Sequence, residues 1–278
     1  MKWVEVDQGD DPRLLPYHRL SDPNFRREYE SRNGTLIAEG LLVLEILVGA
    51  RRPICSVLCS VQAAPRVAEA LAGLERDFTV MVAEEKILQE VVGFPFHRGV
   101  VALAERWAQP SLEELAAASL CGQKAVLLVL EALVDHVNVG AAFRNAAALG
   151  ASGVLLDPRC ADPLYRRSLR VSMGRALTVP FRRAQSWPGE LEQLAENGFA
   201  VVAMTTDASA TPLSELSIES DRLAIAIGSE GGGLSGAVSD LAGRTGHMAR
   251  IPMHGGVDSL NAATAAAIAL HTLIPGPR

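Results

Sequence analysis

The second half of this chain predicts an α/β fold built on a parallel sheet, and two observations carry that expectation. Four short runs, Ala125 to Leu130, Gly153 to Leu156, Ala200 to Thr205 and Leu223 to Ile227, are almost continuously apolar rather than alternating, as strands buried on both faces must be. Helix-forming stretches punctuate them at Val139 to Leu149, Leu164 to Val171, Pro188 to Asn197, Ser235 to Ala242 and Asn261 to Leu273. Strand alternating with helix predicts a parallel sheet with helices on both faces.

The first half reads as a smaller α/β unit. Residues 1–17 are acidic and proline-containing, an N-terminal extension to which no structure is assigned. From Asn24, polar and basic residues give way to Gly34 to Gly40 and then to apolar positions at helical spacing, Leu41, Leu44, Ile46 and Leu47. Val57 to Val61 and Phe78 to Val82 read as strands, with a helix over Ala64 to Glu75 between them. The expected organisation is therefore a small domain over 18–107, a linker over 108–123 and a larger domain over 124–278. A short helix inside the linker is capped by Ser111, with Glu113 and Glu114 in its first turn.

A length of 278 residues suits two modest domains, single cores spanning roughly 100 to 200 residues. Hydrophobic content of 49% against 21% charged residues is that of an ordinary globular protein. The N-terminus lacks the order of a secretion signal. The longest apolar stretch, Leu36 to Val48, is broken by Glu39, Gly40 and Glu45 and falls short of the ~20 residues of a bilayer span. A cytoplasmic protein without membrane partners is expected. Cys55, Cys59, Cys121 and Cys160 show no CxxC spacing, which fits free thiols in a reducing compartment. Six histidines form no HxxxH or HxH pair, so no metal is predicted, and the absence of a GxSxG elbow disfavours hydrolases.

A net charge of -6 does not advertise a nucleic-acid binder, but the distribution is uneven. Seven arginines between Arg159 and Arg183 face one acid, Asp162. They are either a solvated basic face or a phosphate contact. Arginine's donor fork matches phosphate geometry better than a lysine does, which favours RNA contact through Arg166, Arg167, Arg170 and Arg175.

Three stretches carry candidate chemistry. After the first apolar run, Asn138 is a helix-cap candidate, and Gly140 and Arg144 lie four apart on one helical stripe. Gly228 to Gly233 follows a strand and precedes a helix, so its N–H groups suit an anion or an adenosyl group. Glu230 within it would repel phosphate and fits better as an acceptor orienting another side chain. Ser259 and Asn261 open a helix with six alanines, either as caps or as functional groups, and such small residues permit close packing on another element. A dinucleotide-dependent oxidoreductase would carry its glycines in the first strand–helix unit rather than 45 residues from the end.

Taken together, NxGxxxR at Asn138 to Arg144, IGSEGGGLS at Ile227 to Ser235 and IPMxxxxxSLNAATA at Ile251 to Ala265 resemble the three motifs of the SpoU (TrmH-type) RNA ribose 2′-O-methyltransferases of the SPOUT superfamily. Asp162-Pro163 and Arg170 to Gly174 match the pattern between motifs, whereas His136 stands where relatives commonly carry proline. Glu39-Gly40 and Gly99-Val100 are similar, less specifically, to that family's small ribosomal-protein-like RNA-binding domain.

The resemblance implies a C-terminal deep trefoil knot that holds S-adenosylmethionine, and a homodimer that completes the site. Cofactor loops would include Thr205, Gly228, Ile251, Met253 and Leu260, and catalytic roles would fall on Asn138, Arg144, Glu230, Ser259 and Asn261. The substrate implied is the ribose 2′-hydroxyl of ribosomal or transfer RNA, with Arg144 either a base or an orienting group. A free guanidinium, with a pKa above ~12, is a poor base, which favours orientation. The rival reading is a non-catalytic RNA-binding or ribosome-assembly factor on the same fold.

Overall fold

The computed structural model describes residues 1–118 and 125–274; Cys121 and the end of the expected linker lie outside them. The chain runs β1 (Lys2–Val6), α1 (Pro23–Asn33), β2 (Thr35–Glu39), α2 (Leu41–Gly49), β3 (Ile54–Ser60), α3 (Ala64–Ala70), β4 (Thr79–Ala83), α4 (Glu85–Val92) and β5 (Val100–Glu105). It continues α5 (Leu112–Ala117), β6 (Ala125–Leu130), α6 (His136–Leu149), β7 (Gly153–Leu156), α7 (Arg166–Val171), β8 (Phe181–Arg183), α8 (Gly189–Glu196) and β9 (Ala200–Met204). The last elements are β10 (Thr211–Pro212), β11 (Arg222–Ile227), α9 (Gly236–Thr245), β12 (His247–Arg250) and α10 (Ala262–Leu273). Two units result: Met1–Trp107 with Leu164–Thr178, and Ala108–Pro163 with Val179–Arg278.

The first unit holds a five-stranded sheet in the order β1-β4-β3-β5-β2. Strands β1, β4 and β3 are parallel, and β5 runs antiparallel to both β3 and β2. The expectation that residues 1–17 lack structure is overturned. Lys2–Val6 is an edge strand on β4, and Leu14 and Tyr17 are fully buried, the Tyr17 hydroxyl lying 2.7 Å from Ser56 Oγ. Only Val6 of its five residues is buried, so the strand shows no core periodicity; an edge strand is defined by backbone pairing. The helix expected to reach Glu75 ends at Ala70, and Cys55 and Cys59 lie on β3.

The domain boundary also differs from the expectation. Leu164–Thr178, placed by its sequence in the larger domain, belongs to the first unit. Arg166 forms an ion pair with the buried carboxylate of Glu39 at 2.8 Å, and Arg52 donates to the Leu177 carbonyl at 3.1 Å. Both partners lie more than a hundred residues upstream, a separation at which no local pattern signals contact.

The second unit is a seven-stranded sheet in the order β10-β12-β9-β11-β6-β7-β8, with every pairing parallel. Leu127, Val129, Val201, Ala203, Ala224 and Ala226 pack with α5, α8 and α9 residues in one apolar cluster. The intervening Val126, Leu128 and Leu130 are equally buried, so both sheet faces are covered, as the unbroken apolar runs require. Helices α6 and α10 pack on each other and contact β7 and β11. Strands β8, β10 and β12 went unread because they are short and polar; Arg182 in β8, for example, makes a two-point pair with buried Glu190. Entry to β12 depends on Gly246, where a Cβ would lie 2.0 Å from the Val201 carbonyl oxygen.

Candidate active site

Sheet order puts the expected motifs side by side. Strands β12, β9, β11 and β6 are consecutive neighbours, all parallel, so the loops leaving their C-terminal ends share one edge of the sheet. Chain order reverses here, since β11 inserts between β9 and β6, and ligands of open parallel sheets bind at such reversals. A pocket of about 380 Å³ opens at that edge, lined by Met204 to Thr206, Ile227 to Leu234, Ser239, Ile251, Met253, Ser259, Leu260, Ala262 and Ala265. Thr205, Gly228, Ile251, Met253 and Leu260 thus all face one cavity.

The glycine-rich loop keeps its shape through backbone bonds. The Gly233 N–H donates to the Ser229 carbonyl at 2.8 Å, and the Gly232 N–H to Ser229 Oγ at 3.2 Å. Gly233 adopts φ +63°, a left-handed conformation favouring glycine. At Gly228 a Cβ would fall 2.1 Å from the Gly233 carbonyl carbon, so the loop closes only over a residue without one.

Three polar side chains from separate motifs meet at the pocket rim. Asn138 Nδ2 donates to Glu230 Oε1 at 3.0 Å, and Asn261 Nδ2 donates to that same oxygen at 2.6 Å and to Asn138 Oδ1 at 2.8 Å. The Asn261 oxygen meanwhile accepts the N–H groups of Ala263 and Thr264, capping α10. Asn138, read from sequence as a cap, is instead inside α6 and buried; Asp135 is the cap, accepting from the Val137 N–H at 2.8 Å. Two turns beyond Asn138, Asn145 donates to the Ala263 carbonyl at 2.8 Å and fastens α6 to α10, a tie that an asparagine in an alanine-rich helix does not advertise.

Arg144 is exposed on α6 and makes no hydrogen bond or ion pair among the described residues. Its donor fork is therefore uncommitted. Ser259 lines the pocket and is exposed.

The amino-acid pattern of residues 125–271 matches the SpoU rRNA methylase family. An uncharacterised tRNA/rRNA methyltransferase of Mycobacterium bovis is 39% identical over 272 residues, covering 96% of this chain and 90% of that protein. This chain belongs to the SpoU family. An uncharacterised tRNA/rRNA methyltransferase of Mycobacterium tuberculosis shows the same identity over the same length. Among solved structures, the SpoU methyltransferase AviRb of Streptomyces viridochromogenes superposes with a TM-score of 0.76 at 25% identity, covering 94% of this chain and 96% of that one. An AdoMet-bound rRNA methyltransferase of Sinorhizobium meliloti has the same fold, with a TM-score of 0.80 at 24% identity and 97% of each chain covered. Within the SpoU frame, the basic segment between β7 and β8 divides. Arg166 is turned onto Glu39 and stacks over Phe94, its guanidinium carbon 4.8 Å from the ring centroid, whereas Arg167, Arg170 and Arg175 are exposed.

Proposed function

We propose that this SpoU-family protein transfers a methyl group from S-adenosylmethionine to a ribose 2′-hydroxyl of ribosomal or transfer RNA, as a cytoplasmic homodimer. The observation that carries the reading is the convergence of Asn138, Glu230 and Asn261, one from each motif, at the rim of the pocket. Its volume of about 380 Å³ lies within the roughly 300 to 1,000 Å³ of small-ligand sites. Met204, Ile227, Ile251, Met253 and Leu260 supply apolar wall, and the glycine loop supplies backbone donors. The lining carries one carboxylate, Glu230, and no lysine, arginine or histidine. Such a lining suits a cationic sulfonium and would leave the charge of a nucleotide pyrophosphate unmatched.

When bound, S-adenosylmethionine supplies an electrophilic methyl carbon whose leaving sulfide needs no proton. The chain's own residues must then orient a sugar hydroxyl and manage its proton. The uncommitted guanidinium of Arg144 is suited to hold that hydroxyl and an adjoining phosphate. Glu230, fixed by two asparagine amides, positions the loop it stands on. RNA rather than DNA follows because only ribose carries the 2′-hydroxyl.

In the first unit, Arg98, Arg166 and Arg170 share Glu39 at 3.5, 2.8 and 3.8 Å, three cations on one anion. That surplus supports RNA contact through Arg170 and the exposed Arg167 and Arg175, with Arg166 holding the cluster together. Exposed Val134, just ahead of the first motif, and exposed Val257, within the third, support a homodimer. No helix among the described residues is long and apolar enough to cross a membrane.

The test is to incubate purified protein with isotope-labelled S-adenosylmethionine and total ribosomal or transfer RNA, then digest to nucleosides and identify the product by mass spectrometry. Label in 2′-O-methyl nucleosides is expected; label confined to a base would overturn the ribose assignment. A sharper result concerns Asn261. The Asn261→Asp variant keeps the oxygen that caps α10, a cap worth about 1 kcal/mol, but sets a second carboxylate against Glu230 and removes the donated hydrogen bonds. It should melt close to the parent while losing most methyl transfer. Normal transfer by that variant would detach Asn261 from the site.

A further inference from the structure

Three buried carboxylates of the second unit, Glu131, Asp157 and Glu190, lie outside the three motifs, and Glu131 reaches the glycine-rich loop. Glu131, the residue after β6, is 1% exposed. Its backbone N–H donates to the Ile227 carbonyl at 2.9 Å, the last bond before the glycine-rich loop begins. Its Oε2 accepts the Ser235 N–H at 2.8 Å, the residue that ends the loop and caps α9. A single residue therefore fastens both ends of the seven-residue stretch Gly228 to Leu234, every member of which lines the pocket. The remaining oxygen, Oε1, accepts from Trp187 Nε1 at 2.8 Å and from Arg159 at 3.3 Å.

We infer that Glu131 is a positioning residue that sets the width of the cofactor loop, and that Trp187 reports on it; the inference rests on S-adenosylmethionine occupying this pocket. The physical argument is one of pre-organisation. A seven-residue loop holding four glycines, Gly228 and Gly231 to Gly233, has a large backbone entropy, and a ligand that had to order it would bind more weakly. Anchoring both ends at one residue of the central sheet, one end through its backbone and the other through its carboxylate, removes that freedom beforehand. A buried carboxylate also accepts more strongly than a neutral group, so the bonds to Ser235, Trp187 and Arg159 are of the charge-assisted kind. Glutamine at this position would present an N–H₂ group to one of three donors, leaving a buried donor unmatched. Aspartate, one methylene shorter, keeps the charge but withdraws it from Ser235.

Trp187 makes the test direct. The other two tryptophans, Trp3 and Trp107, lie in the first unit, so Trp187 is the indole of the second unit. Cofactor entering the loop should change Trp187 emission through Glu131. The experiment compares the full-length parent with Glu131→Gln, Glu131→Asp and Trp187→Phe by calorimetric titration with S-adenosylmethionine, tryptophan emission, steady-state kinetics and thermal melting. Glu131→Gln is expected to weaken cofactor binding about ten-fold and to raise the cofactor KM in step, with kcat much less affected. Emission should no longer follow binding. Trp187→Phe should keep its affinity and lose only the optical change. A Glu131→Gln protein that melts lower but binds with parental affinity would reduce Glu131 to a structural acceptor and overturn the inference. If the melting point of Glu131→Gln falls too far for titration, Glu131→Asp decides: parental affinity there overturns the inference equally. A parent that binds no S-adenosylmethionine would instead sink the proposed function.

Discussion

Arg144→Ala should lose methyl transfer by about a hundred- to a thousand-fold, the cost usual for deleting a donor aimed at developing charge, while its affinity for S-adenosylmethionine stays nearly unchanged. The reasoning is spatial. Arg144 is exposed on α6 and is not among the residues lining the cavity, so the cofactor should not register its removal. With no hydrogen bond or ion pair to lose among the described residues, its deletion should also leave the melting temperature close to the parent's. Arg144→Lys asks what the orienting role requires of the cation. If the planar fork matters, lysine keeps the charge and fails to restore the rate. If any cation suffices, lysine recovers much of it. Single-turnover rates with saturating cofactor and a defined RNA, together with calorimetric affinity, make the measurement. Full activity of the alanine variant would remove Arg144 from the chemistry.

Gly228→Ala should act on binding instead. The added Cβ would lie 2.1 Å from the Gly233 carbonyl carbon and 2.3 Å from the Leu234 nitrogen. Backbone atoms cannot move aside as a flexible side chain can, so the loop must open. Overpacking of this kind costs about 1 to 3 kcal/mol, which predicts cofactor affinity lower by roughly ten- to a hundred-fold. Gly231→Ala is the matched control, because a Cβ there has nothing within 4 Å and the backbone is not left-handed. Titration of the two variants should therefore diverge sharply. Equal affinity in both would mean that the loop of the bound state is shaped differently from the one described.

These expectations separate what the chain shows locally from what folding adds. Apolar runs at Ala125–Leu130 and Leu223–Ile227 announced buried parallel strands, because a strand covered on both faces needs apolar side chains at every position. Glycine spacing announced the loop after β11, because closing a tight turn over another backbone excludes side chains. The residues of the pocket were likewise legible, since the motifs that carry them are short and local. Short polar strands were not: the edge strands β1 and β8, and β12 one place in from its edge, are held by backbone pairing, which leaves little mark on side-chain pattern.

The amino-acid sequence by itself determined the sheet class, the loops that line the pocket and the identity of the three polar residues at the rim. Only the tertiary structure decided that Asn138, Glu230 and Asn261, up to 123 residues apart, share hydrogen bonds. It also decided that Arg166 is committed to Glu39, that Leu164–Thr178 belongs to the first unit, and that Glu131 grips both ends of the glycine loop. The physical reason is the same in each case. Hydrophobic periodicity and turn chemistry are set by neighbours in the chain, whereas a hydrogen bond between distant residues depends on strand order, and strand order is settled only when the whole sheet has assembled.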